Sequence, residues 1–202
     1  MADLVPMGQR TDEELGREAR AGSRRSFEEL ACRYKRRLFV YLRTRLGSDE
    51  DAEDMVQETF LKLYRNIESY DPAFRFSTWL YTSATRLAIS SFRKKRNAAG
   101  TLRLEEAGNV ADPKAGIARE REPGGLWDMA RRLGGNQFRA LWLRYGEDMT
   151  VEEIARTLGK SRIAVRLLLH RARTNLIKWA DPAPAKEMPA AKTAAAGETP
   201  SG

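Results

Sequence analysis

Apolar residues recur every three or four positions through most of this chain, a spacing that predicts α-helices and favours an all-α protein. The longest stripe follows Ser26 and comprises Phe27, Leu30, Ala31, Tyr34, Leu38, Tyr41 and Leu42. Gly47 is expected to end that helix, because glycine readily adopts the left-handed conformation of a helix C-cap. Similar stripes follow Ser48 and Phe76, so with a short helix after Thr11 we predict four helices in the first half.

Hydroxyl residues mark where some of these helices should begin. Thr11-Asp-Glu-Glu14 and Ser26-Phe-Glu-Glu29 both have the pattern of a capping box, in which the hydroxyl accepts from an amide and the glutamate accepts from the cap's own amide. The helix predicted from Ser48 to Ile67 is amphipathic and acidic on its outer side. Its acids crowd the first turns, where a negative charge is favourable to the helix dipole.

Beyond residue 96 the pattern changes twice. Residues 97–125 contain several glycines and prolines and only scattered apolar residues, which predicts a flexible linker with at most a short helix near residues 115–122. Helical spacing resumes at Leu126 and continues to residue 180. From Asp181 the chain is rich in Ala, Pro and Thr and holds four of the eight prolines, which predicts a disordered tail.

The segment from Val151 to Arg173 has the pattern of a helix-turn-helix. Ala155 is small where two helices must touch, Gly159 lies at the turn, and Val165 is placed to meet the first helix. The second helix is strongly basic, which is typical of DNA binding. The alternative for this segment alone is two packed helices with a solvated charged face.

We therefore expect two small helical domains joined by a flexible linker, the second containing the helix-turn-helix. The predicted divisions are an N-terminal lead-in (1–25), a first helical domain (26–96), the linker (97–125), a second domain (126–180) and the tail (181–202). At 202 residues the chain is long enough for two such domains, each just large enough for its own core.

Charge and chemistry narrow the function. Lys and Arg number 36 against 28 Asp and Glu, and the net charge of +8 favours a polyanionic partner without identifying it. Cys32 is the only cysteine, so we expect no intramolecular disulfide and interpret it as a small buried hydrophobe. His170 is the only histidine and has no nearby ligand partner. We expect no catalytic set, no metal site and no cofactor.

The apolar runs are too short to cross a bilayer, and residues 1–20 do not resemble a signal peptide. The expectation from these features is a soluble cytoplasmic protein with no membrane insertion.

Three motifs, taken in order, resemble those of the bacterial extracytoplasmic-function (group IV) sigma factors of RNA polymerase. They are Asp51-Ala-Glu-Asp-Met-Val-Gln-Glu-Thr-Phe-Leu-Lys62, then Phe76-Ser-Thr-Trp-Leu80 with Arg93-Lys-Lys-Arg96, and finally Val151-Glu-Glu-Ile-Ala155 through Leu169-His-Arg-Ala-Arg173. The resemblance covers roughly residues 26–96 and 133–176. It implies a factor that binds core polymerase and directs promoter recognition, promoter melting and initiation.

The resemblance also implies partners and contact residues. The partners are the clamp helices of the largest subunit of core RNA polymerase, promoter DNA, and an anti-sigma factor, which members of the family often have. Polymerase contacts fall on Asp54, Gln57 and Glu58. Minus-ten DNA contacts fall on Tyr70, Trp79, Arg86, Arg93, Lys94, Lys95 and Arg96, with Tyr70 in the loop where a flipped base can stack on an aromatic ring. Minus-thirty-five contacts fall on Ser161, Arg162, Arg166, Leu167, His170, Arg171 and Arg173.

The chain departs from the family pattern at several of these positions. Arg86 and Ser90 stand where the family usually has Asn and commonly Asp, and Leu133-Gly-Gly135 replaces Leu-Pro-Glu. In the recognition helix Arg166-Leu-Leu168 replaces Lys-Ser-Arg, which puts Leu167 at a position expected to face DNA. The competing interpretation is a one-component helix-turn-helix regulator without polymerase binding, which has no need for the acidic helix or the Phe76 motif.

Overall fold

The computed structural model describes residues 6–98 and 125–180, and every regular element within these ranges is helical. The first domain contains α1 (Asp12–Arg20), α2 (Arg24–Leu46), α3 (Asp49–Arg65) and α4 (Phe76–Ala98), with 3₁₀ turns at Met7–Gln9 and Ile67–Ser69. The second contains α5 (Leu126–Ala130), α6 (Gly135–Leu141), α7 (Val151–Leu158) and α8 (Arg162–Ala180), with a π-helical turn at Trp142–Gly146 after α6. The all-α prediction is confirmed. The short linker helix and the disordered tail were predicted for segments outside the described residues.

The helix ends confirm most of the capping predictions and correct one. Thr11 forms the predicted capping box with Glu14, Ser48 caps α3, and Gly47 ends α2 with a φ of 78°. The box predicted at Ser26 is wrong, because α2 begins one turn earlier and is capped by Ser23. Ser26 lies within the helix, and its hydroxyl donates to the Glu18 carboxylate at 2.5 Å.

Helix α2 forms the centre of the first domain. Leu30, Leu38 and Leu42 are completely buried along its length, and α1, α3 and α4 all pack against it. Cys32 lies off this stripe and is exposed, so its prediction as a buried residue is wrong. Within the core, the hydroxyls of Tyr41 and Thr85 are hydrogen-bonded at 2.8 Å, which satisfies two buried polar groups and links α2 to α4.

The helix-turn-helix is confirmed at the level of individual contacts. Thr150 and Glu153 form a capping box at the start of α7, and Gly159 turns the chain with a φ of 63°. Val165 is fully buried and Ala155 nearly so, as their positions in the motif predict. A separate core packs α5 and α6 against α8. Its buried members all belong to the second domain and are Ala130, Leu133, Phe138, Leu141, Ala172 and Leu176.

The two domains also pack directly against each other. The larger core continues from the first domain into the second, where it includes Leu143, Met149 and Ile154. Helix α7 contacts α4, with Thr78 donating to Glu153 at 2.9 Å and the hydroxyls of Thr82 and Thr157 also 2.9 Å apart. The sequence pattern predicted a core for each domain, but not that one of them would be shared.

Candidate polymerase and promoter interfaces

The outer face of α3 carries the residues predicted to contact polymerase. Asp54, Gln57 and Glu58 are all exposed, because Met55, Val56 and Thr59 take up the buried side of the helix. Leu61 lies one turn further along the same outer face and is 56% exposed. Leu61 was not among the predicted contacts, although it falls out of step with the buried stripe. The face is therefore acidic with an apolar residue at its end.

Tyr70 is buried, contrary to the exposed ring that base stacking requires. The residue is only 1% exposed, and its ring lies 5.7 Å from that of Phe76 and 5.3 Å from that of Trp79. A Cβ on Gly16 would come within 2.5 Å of the Tyr70 ring, so α1 covers the ring closely. Burial raises the pKa of the Tyr70 phenol to about 12. The Tyr70 hydroxyl donates to the Phe74 carbonyl at 3.0 Å, which makes it a support of the following turn.

That turn presents a different aromatic residue to solvent. Phe74 is 51% exposed, and the turn before it is held by a hydrogen bond from the Ala73 amide to the Asp71 carboxylate at 3.0 Å. Arg75 donates to the Asp148 carbonyl of the second domain at 2.8 Å. Phe74 was not among the contact residues predicted from the sequence. Its position just after Pro72 and outside any helical stripe could have indicated that its side chain is exposed.

The other predicted minus-ten residues divide between core and surface. Trp79 is half-buried against Tyr70 and Phe76, whereas Arg86, Arg93 and Lys94 are exposed along α4. The side chains of Lys95 and Arg96 lie outside the described residues. Ser90 is also exposed, so both departures on this helix, Arg86 and Ser90, face solvent.

Helix α8 brings the predicted minus-thirty-five residues to one exposed surface. Every member of the set is exposed: Ser161, Arg162, Arg166, Leu167, His170, Arg171 and Arg173. The Ser161 hydroxyl accepts a hydrogen bond from the Ala164 amide at 3.2 Å and so helps to start the helix. Leu168 is half-buried against the core, as the sequence allowed, while Leu167 is 45% exposed. Ile163, which sequence reasoning missed, is 78% exposed.

A buried carboxylate joins the two domains. Glu147 is 3% exposed and lies 2.9 Å from the Arg37 guanidinium, and the Tyr81 hydroxyl donates to it at 2.7 Å. Burial raises the pKa of Glu147, and the hydrogen bond from Tyr81 and the charge of Arg37 oppose that rise. Burial and the neighbouring Glu147 also raise the pKa of Tyr81 well above its ordinary value.

Within residues 6–98 and 125–180, no group of three or more His, Cys, Asp or Glu side chains could hold a metal ion. None of the helices described there is long and apolar enough to cross a membrane.

Known proteins resemble both domains. The sigma-70 region 2 family matches residues 30–98, and the sigma-70 region 4 family matches residues 125–176. The extracytoplasmic-function RNA polymerase sigma factor BldN of Streptomyces coelicolor is 32% identical over 168 residues, which cover 79% of this chain but only 62% of BldN. The RNA polymerase sigma factor CarQ of Myxococcus xanthus is 30% identical over 155 residues, covering 75% of this chain and 87% of CarQ. The chain belongs to the extracytoplasmic-function sigma factors.

A solved structure agrees with the fold of this sigma factor. It is the sigma factor RpoE of Bartonella quintana, crystallised with the anti-sigma factor NepR. It superposes with a TM-score of 0.56 at 18% identity, over 75% of this chain and 94% of RpoE. As a sigma factor, the protein directs RNA polymerase in transcription initiation, and sigma factors are in general not catalysts. A one-component regulator is not favoured, because the region 2 match covers the part that such a regulator would not need.

Proposed function

We propose that this group IV sigma factor binds the clamp helices of the largest polymerase subunit through α3, and that it acts in the cytoplasm, where polymerase meets the chromosome. The observation that carries the proposal is the exposed face formed by Asp54, Gln57, Glu58 and Leu61. Acidic side chains followed by an apolar residue suit a basic helical partner, since charge steers the encounter and apolar burial holds the complex.

Promoter DNA is assigned to two further surfaces. In the first domain, exposed Arg86, Arg93 and Lys94 lie along α4 and are placed for phosphate contacts. We assign the ring that stacks on an unpaired minus-ten base to Phe74 instead of Tyr70, because a stacking ring must have a free face and, of these two residues, Phe74 is exposed and Tyr70 is buried. In the second domain, α8 is the recognition helix for the minus-thirty-five element.

The two promoter contacts require the domains to separate. By their names the two elements lie about 25 base pairs apart, or roughly 85 Å of duplex at about 3.4 Å per base pair. Domains joined through Glu147 and the contact between α4 and α7 cannot reach both elements at once. The 26 residues between the described ranges can extend to at most roughly 90 Å, which is just enough for the open arrangement. An anti-sigma factor that favours the closed arrangement would keep the sigma factor inactive.

The direct test is binding of the full chain to purified core polymerase, followed by run-off transcription from a promoter library. The variant Asp54→Lys/Glu58→Lys should lose most of its polymerase affinity without losing helical content, because exposed acids contribute little to folding. The variant Glu28→Lys/Glu68→Lys makes the same change in net charge at two exposed acids outside α3 and should bind normally. Equal binding by both variants would overturn the assignment of the α3 face.

A further inference from the structure

The exposed surface of α8 is basic at its edges and apolar between them. With 3.6 residues per turn, Arg162, Arg166 and Arg173 lie along one edge of the exposed side, and Arg171 lies along the other. Ile163 and Leu167 lie between these edges, with His170 beside them. Ile163 is the most exposed of the large apolar residues in the described chain, at 78%. This apolar pair therefore lies on the solvent side of the recognition helix.

A helix inserted in the major groove has a matching division of environments. The middle of its exposed side meets the edges of the bases, while its two flanks meet the phosphates along the groove. On α8 the arginines are thus placed for phosphates and the apolar pair for bases. Aliphatic side chains form no hydrogen bonds with base edges. The apolar group that the major groove offers them is the 5-methyl group of thymine.

We propose that Ile163 and Leu167 recognise the 5-methyl groups of neighbouring thymines in the minus-thirty-five element. The inference rests on the proposed role of α8 in DNA binding and specifies which chemical group it detects. The two residues are one turn apart, so they are separated by about 6 Å along the helix axis. Base pairs are stacked about 3.4 Å apart, so the two thymines lie within about two base-pair steps of each other.

A protein partner is the other class of occupant that an exposed apolar pair could have. The flanking charges favour DNA, because Arg162, Arg166 and Arg171 surround the pair with cations and the exposed positions of α8 include no acidic residue. The neighbouring Glu152 of α7 lies 3.4 Å from Arg162, and the charge of Arg166 also acts on it. Within residues 6–98 and 125–180, neither Arg166 nor Arg171 forms an ion pair. Phosphates on both sides of the groove would match this arrangement.

The experiment replaces thymine with deoxyuridine, which removes only the methyl group. Holoenzyme reconstituted with the full chain is first used to select the preferred upstream element from a random library. Each thymine in that element is then replaced in turn, and affinity is measured by competition. We expect two replacements to lower affinity roughly three- to five-fold each, as the loss of one buried methyl predicts. The variant Ile163→Ala/Leu167→Ala should bind the thymine and deoxyuridine elements equally.

A matched control comes from the same helix. Ile177 is 67% exposed but lies 14 residues beyond Ile163, or about 21 Å along the axis. Ile177→Ala should keep the full response to methyl removal. Wild-type holoenzyme that binds the selected element but ignores every deoxyuridine replacement would overturn the inference while leaving DNA binding by α8 intact. The inference also fails if Ile163→Ala/Leu167→Ala responds to methyl removal as strongly as the wild type does. A library that yields no upstream preference would instead overturn the proposed function of α8.

Discussion

Arg37 of α2 and Glu147 of the second domain form an ion pair at 2.9 Å, although they are 110 residues apart in the chain. The Glu147 side chain is 1% exposed and that of Arg37 is 42% exposed. The carboxylate is therefore buried between the domains, while the arginine lies at the solvated edge of their contact. Arg37 also donates to the Gly146 carbonyl at 2.6 Å. One side chain of the first domain therefore holds both the carboxylate and the backbone of the turn before α7.

Removing Arg37 should loosen the closed arrangement. Arg37→Met leaves a buried carboxylate without its cation, which weakens domain docking by less than the roughly 3–5 kcal/mol of a fully buried pair, because Arg37 is partly solvated. We expect a larger radius of gyration in small-angle scattering and a lower melting temperature. Arg36→Met removes an exposed arginine from the adjacent position and should change neither. An unchanged radius for Arg37→Met would show that the other contacts between the domains hold them together without this ion pair.

Acidity should affect the same contact through Glu147. Its pKa is raised by burial, so its contribution to stability is fully present below the ordinary value of 4.5 and is lost as the pH rises through the raised value. The groups that influence it are Tyr81, Arg37, Trp142 and Arg75. Glu147→Gln mimics the protonated form and should remove this part of the pH dependence. Denaturant unfolding between pH 4.5 and 7 should show the wild type losing stability relative to Glu147→Gln as the pH rises. A relative gain would mean that the Arg37 charge outweighs burial.

Promoter melting should depend on Phe74 more than on Tyr70. Phe74→Ala should weaken binding of single-stranded minus-ten DNA by roughly 1–3 kcal/mol, the usual contribution of one stacked base. Tyr70→Phe keeps the buried ring and loses only the hydrogen bond to the Phe74 carbonyl. This variant should therefore lose about 1 kcal/mol or less of binding free energy for the same DNA. Tyr145→Ala removes an aromatic residue of similar exposure from the second domain and serves as the control. If Tyr70→Phe proved as damaging as Phe74→Ala, the assignment of the stacking ring would be incorrect.

The edge arginines of α8 should contribute affinity without sequence preference. Arg166→Ala and Arg171→Ala should each lower holoenzyme affinity by a similar factor on all upstream sequences. Each should also reduce the slope of log affinity against log salt by about 0.9, the value for one phosphate contact. Arg20→Ala, an exposed arginine on α1, leaves that slope unchanged if the contacts are specific to α8. A change in base preference at one position would instead identify a direct contact to a base.

Local interactions explain what the sequence by itself determined. The capping box of Thr11 and Glu14 and the C-cap at Gly47 involve residues only three or four positions apart, so their patterns are visible in the chain. The same holds for the turn at Gly159 and the apolar stripes of α2, α3 and α8. From these features follow the all-α fold, the helix-turn-helix and the outward direction of the acids on α3. The motifs in their order were then sufficient to indicate the family.

Only the tertiary structure decided which of two serines caps α2 and which of two neighbouring aromatic side chains is buried. Ser23 and Ser26 could each begin α2, and the packing of Ser26 against Glu18 of α1 accompanies the earlier start. Tyr70 and Phe74 are both aromatic residues near one turn, yet contact with Gly16, more than fifty residues away, buries the first and leaves the second exposed. The ion pair of Arg37 and Glu147 has no signature in the sequence, because neither residue has a local pattern that identifies its partner. Burial depends on which distant segments meet, and periodicity along one helix carries no information about that.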